Sequence, residues 1–158
     1  MPRQKVSTLC VLWRNPQKLS TRLFWEPFPS DCWESTKYYN NLFTSLKELL
    51  KTEDYSEEEY AQIISKLFLT DFFDLDNKIM KSDIGGTQFV YESYRQDFES
   101  GAKTSIYKYV ESNVYGDRKQ ELPEVSRIDN VKVETMKVNY KDINDEKAYK
   151  VVVNFSYK

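Results

Sequence analysis

From residue 35 onward the apolar positions fall at helical intervals and then change to alternation. Tyr39, Leu42, Phe43, Leu46, Leu49 and Leu50 share one face at a period of 3.6, which predicts a first helix with Ser35 as its N-cap. A polar break at 51–55 ends it. Ser56-Glu-Glu-Glu59 then reads as a capping box, in which the hydroxyl and the Glu59 carboxylate each satisfy an orphan backbone donor. Tyr60, Ile63, Ile64, Leu67 and Phe68 predict the buried face of a second helix, extending to Phe72 and Leu75. Gly85 and Gly86 mark a turn, Gln88 to Tyr91 a brief extended segment, and Ser93-Tyr-Arg-Gln96 a second capping box. Tyr94, Phe98, Ala102, Ile106, Tyr109 and Val110 form a third helical face. Gly101 inside it costs about 1 kcal/mol relative to Ala, which a close neighbour would explain.

The last forty residues follow a period of two. Val131 and Val133 alternate with charged residues, and Met136, Val138 and Tyr140 do so on the opposite parity. That change of parity predicts a β-bulge near 134–136, with a turn at 142–146. In the final strand Tyr149, Val151, Val153, Phe155 and Tyr157 point one way and Ala148, Lys150, Val152, Asn154 and Ser156 the other. The expected class is α+β, about three helices followed by a bulged antiparallel hairpin. A two-stranded hairpin is marginal alone and its edges are open. The sheet is therefore expected to be incomplete, either cut short or completed by another chain.

The first 35 residues match neither period. They hold Trp13, Trp25, Trp33, Cys10, Cys32 and four of the five prolines, and Pro27 and Pro29 oppose regular structure there. They read as an irregular leader, native or foreign, ahead of a domain at 36–158. The apolar run from Val6 to Trp13 is too short for a signal peptide and contains Ser7 and Thr8. No stretch approaches the roughly 18 apolar residues of a membrane helix.

Aromatic residues at 15%, with 12 Tyr and 9 Phe, point to a packed chain despite its polarity. A net charge of −2 gives no bulk attraction to nucleic acid. Two cysteines fix neither a disulfide framework nor a compartment.

With no histidine, every mechanism that needs an in-chain histidine base is excluded. No P-loop or dinucleotide fingerprint is present. Asp71, Asp74, Asp76 and Asp83 form the densest acidic group. Lys78, Ile79 and Gly85 occupy positions that an EF-hand loop from Asp74 gives to an oxygen ligand, Gly and Glu. The group therefore reads as a solvated face and helix exit, with no metal or cofactor. A carboxylate base, Asp74 or Asp76, beside a Tyr91 or Tyr94 donor is the one enzymatic pairing the spacing allows, and it needs burial to raise the base. Tyr94 reads more simply as core. Tyr149, Phe155 and Tyr157 on the last strand are candidate pocket or interface residues.

The layout resembles the NTF2-like (cystatin-like) cone, and within it VirB8-like domains of bacterial conjugation and secretion. Phe72-Phe-Asp-Leu-Asp-Asn-Lys78, Asp83-Ile-Gly-Gly-Thr-Gln-Phe89, Tyr107-Lys-Tyr-Val-Glu111 and Asp145-Glu-Lys-Ala-Tyr149 look like membrane-anchored proteins of low-GC Gram-positive bacteria. The resemblance covers about 38–158. It implies an extracytoplasmic, non-catalytic interaction or assembly domain, held by a membrane anchor this sequence lacks and partnered by proteins or by itself through the open sheet edge. The alternatives are a small-molecule-binding or isomerase-like cone enzyme, and a truncated fragment with no activity of its own.

Overall fold

A computed structural model describes residues 3–12 and 37–157. The element order is β1 (Arg3–Leu12), α1 (Lys37–Lys51), α2 (Glu57–Phe73), a 3₁₀ turn (Thr87–Phe89), α3 (Glu92–Thr104), β2 (Val125–Tyr140) and β3 (Ile143–Tyr157). The class is α+β, as the periodicity predicts. Ser35, Trp13, Trp25, Trp33, Cys32 and the expected irregular course of residues 13–35 lie outside the described residues.

The sheet has three strands in the order β1-β3-β2, antiparallel throughout. This corrects two expectations. Residues 3–12 are a strand rather than part of an irregular leader, and the edge of β3 is therefore not open. Periodicity fails at β1 because Val6–Leu12 carries no charged residue to alternate with, although its branched residues suit a strand.

The odd-numbered residues of β3 face the helices. Tyr149, Val151, Val153 and Phe155 are buried with Ala61 and Leu69 of α2, and Leu9, Val131 and Val133 pack against them. α2 is buried on more than the one face its periodicity shows. Tyr60, Ile63 and Leu67 pack with Leu46 of α1, while Phe72 joins Ala102, Tyr107 and Val110. The Ser56 hydroxyl accepts the Glu59 N–H and caps α2. Glu57, in the same first turn, instead accepts from Lys147 and the Tyr149 hydroxyl, fastening the helix start to β3.

The register between β2 and β3 runs unbroken from Asn130 to Val138, so the bulge expected near 134–136 is absent. Val133 pairs with Val151 on the helix side, and Met136 pairs with Ala148 on the other. The parity switch is resolved by two half-apolar faces rather than by a kink. The irregularities fall instead between Val125 and Arg127, Ile128 and Asn130, and Val138 and Tyr140. At the last of these Asp145, at φ 51, donates its N–H to the Asn139 side chain. The turn is centred on Lys141 and Asp142, ahead of the expected 142–146, and Lys141 also has positive φ.

α3 ends at Thr104, earlier than its apolar spacing predicts. Val110 is buried as expected, but Tyr107 is buried in place of Ile106 and Tyr109, which are exposed. The second capping box does not form: Tyr91 is the N-cap and Ser93 donates to Asp142. Gln88 lies in the 3₁₀ turn rather than an extended segment, and Gly101 has no neighbour for an added β-carbon within 4 Å.

Candidate functional site

α2 stops where its own sequence builds a polar anchor. Asp71, in the last turn, receives the Lys78 ammonium at 2.7 Å on Oδ1. Its Oδ2 accepts the Gly86 N–H at 2.8 Å and the Gln88 amide at 3.0 Å. Gly86 holds the left-handed φ of 74 that this approach needs, and a β-carbon on Gly85 would stand 2.2 Å from the Asp71 carbonyl oxygen. The Lys78 side chain is 0% exposed. Burial pushes the Asp71 carboxyl up, but the Lys78 charge and the hydrogen bonds outweigh it, leaving the group below the usual carboxylate range. Tyr107, also fully buried, closes the structure. Its hydroxyl donates to the Phe72 carbonyl at 2.6 Å and accepts the Gly85 N–H at 3.1 Å. Desolvation raises the Tyr107 hydroxyl far above its ordinary value, so it stays a neutral donor.

Asp74, the C-cap of α2, is 2% exposed. Burial, then the nearby Glu124 charge, pushes its carboxyl up to about 6, with Lys78 opposing. The Asn77 amide approaches it at 3.5 Å, and the buried Asn77 Oδ1 has no hydrogen-bond partner among the described residues. The expected solvated acidic face is thus corrected: Asp71 and Asp74 are turned inward because the loop folds back over the end of α2. Only Asp76 keeps a mostly exposed side chain beside Arg118.

The outer side of this loop system has a different character. Arg118, with its side chain 3% exposed, donates to the carbonyls of Lys78 and Asp76, each at 2.6 Å. The Asn113 N–H reaches the Ile79 carbonyl at 2.7 Å. Gln120 accepts the Glu111 N–H and donates to the Tyr109 carbonyl. These bonds pin the segments 76–80 and 109–120 together, and on them stand Ile79, Met80, Tyr109, Val114 and Tyr115. All five are exposed, Tyr115 to 90%. Exposed apolar side chains on a braced backbone are suited to contact with another molecule.

The proposed Asp–Tyr pairings do not form. Tyr91 donates to Asp142 at 2.8 Å at the hairpin turn. Tyr94 packs on Phe98 and Tyr140 and is 43% exposed, correcting its expected place in the core. Phe155 is core, Tyr149 is buried against Glu57, and Tyr157 is half-buried near the Lys5 ammonium, 5.3 Å from its ring centroid. No group of three or more metal-ligating side chains is present among the described residues, and no described helix is long and apolar enough to cross a membrane. Sequence reasoning missed Tyr107, Gln88 and Arg118. Tyr107 was masked by helical spacing that favoured its neighbours, and the other two carried no periodic signal.

Compared with known proteins, the chain matches no family model, no curated protein and no solved structure.

Proposed function

We propose that this chain is a non-catalytic protein-interaction domain that binds its partner through the apolar loop surface at Ile79, Met80, Tyr109, Val114 and Tyr115. The observation that carries this reading is the combination of exposure and bracing. The five side chains are accessible, while the backbone beneath them is held by Arg118, Gln120 and Asn113. Little ordering entropy is then left to be lost on binding, and Tyr and Met are residue types favoured at interface centres. Beneath the loops Asp71 is committed to holding them, through Lys78, Gly86 and Gln88. The resemblance to VirB8-like cones supports the same class of role, in a bacterial envelope assembly.

Photo-crosslinking in the organism that carries the gene tests this. A crosslinker at Tyr115 or Tyr109 is expected to trap one discrete protein, and one at Glu99 on α3 is not. Met80→Asp should abolish the Tyr115 adduct without lowering the melting temperature. Equal labelling from all three positions, or none from the two tyrosines, overturns the reading.

A second reading, a cone enzyme using Asp74 as base, is favoured by its burial and raised pKa. It lacks a tyrosine donor at the two nominated positions. It would require Asp74→Asn to abolish binding of a small ligand to the folded chain.

A further inference from the structure

Among the described residues the two edges of the sheet are protected very differently. β2 has an extra residue at Ser126 and at Asp129, each disturbing its register with β3, and it carries Arg127, Lys132, Glu134 and Lys137. Bulges and charges of this kind prevent an edge strand from pairing further. β1 has none of these features along most of its length. Its ten register pairs with β3 run without a shift, and Val6–Leu12 contains no charged residue, Gly or Pro. Among the described residues no strand lies beyond it.

We infer that the outer edge of β1 pairs with β1 of a second copy, antiparallel across a twofold axis. Charge chooses the orientation. The basic residues of β1, Arg3 and Lys5, stand at one end only. A parallel pairing would set each against itself, whereas the antiparallel one sets each basic end past the uncharged end of its mate. Symmetry then chooses the partner. The joined sheet has the order β2-β3-β1-β1-β3-β2, so both of its outer edges are the bulged, charged β2, and association closes at two. A foreign strand would leave a new edge of its own. This surface is separate from the apolar loops, and its failure leaves the reading of those loops untouched.

Light scattering coupled to size exclusion, on the full chain over a concentration series, is expected to approach twice the 18.8 kDa chain mass. Thr8→Lys, in the middle of the uncharged stretch, should return it to one chain mass. Hydrogen exchange on the unaltered protein gives a reading that does not depend on that variant folding: the amides of 6–12 should exchange more slowly as concentration rises. A single-chain mass throughout, or a dimer whose β1 exchange is independent of concentration, overturns the proposal.

Discussion

A β-carbon is forbidden at Gly85, in the turn after the acidic loop, and free at Gly101, inside α3. At Gly85 the obstacle is the Asp71 backbone, which cannot move aside without unwinding the end of α2. Gly85→Ala is expected to destabilise the fold by about 1–3 kcal/mol. Gly101→Ala, in open space within α3, should stabilise it by about 0.5–1 kcal/mol by removing backbone freedom from the unfolded chain. Urea denaturation of the two variants reads both signs. Local pattern marks Gly85 as a turn residue but not the clash that forbids a side chain there, because the deciding neighbour, Asp71, lies fourteen residues earlier in the chain.

Among the elements, β3 is where local pattern and tertiary environment agree most fully. Its alternation names the inner face, and Val151, Val153 and Phe155 are all 0% exposed there. Val151→Asp or Phe155→Asp is expected to cost about 4 kcal/mol or more, because a carboxylate would be buried with no cation to meet it. Loss of the cooperative thermal transition checks this, and an unchanged melt would mean the face is not core. α3 shows the opposite case. Its spacing continues to Tyr109, but the chain leaves the helix after Thr104 so that the Tyr107 hydroxyl can reach Gly85 and Phe72. Two buried hydrogen bonds on a large ring outweigh one more turn of helix, and periodicity does not record that competition.

For the molecule as a whole, Asp74 ties stability to pH. Its pKa in the folded chain, about 6, stands above the ordinary 3.8, so folding binds its proton more tightly. That contribution is complete below pH 3.8 and is lost as pH rises through about 6. Asp71 acts in reverse, since its lowered pKa stabilises above 3.8 and fails as pH falls further. Glu57, lowered from its ordinary 4.5 by Lys147 and Tyr149, opposes this trend only at the acid end, and with no histidine in the chain stability is expected to decline between about pH 5 and 7 by on the order of 1 kcal/mol. Asp74→Asn should flatten that decline, and urea midpoints across the interval measure it. The sequence by itself determined the α+β class, the helix-capping Ser56 and the inward face of β3, because each follows from period and from chemistry a few residues apart. Only the tertiary structure decided that residues 3–12 complete the sheet, that Asp71 and Asp74 turn inward, and that Tyr107 replaces its neighbours in the core. Each of those outcomes depends on a partner far away along the chain, and burial or charge at such a partner leaves no mark on local spacing.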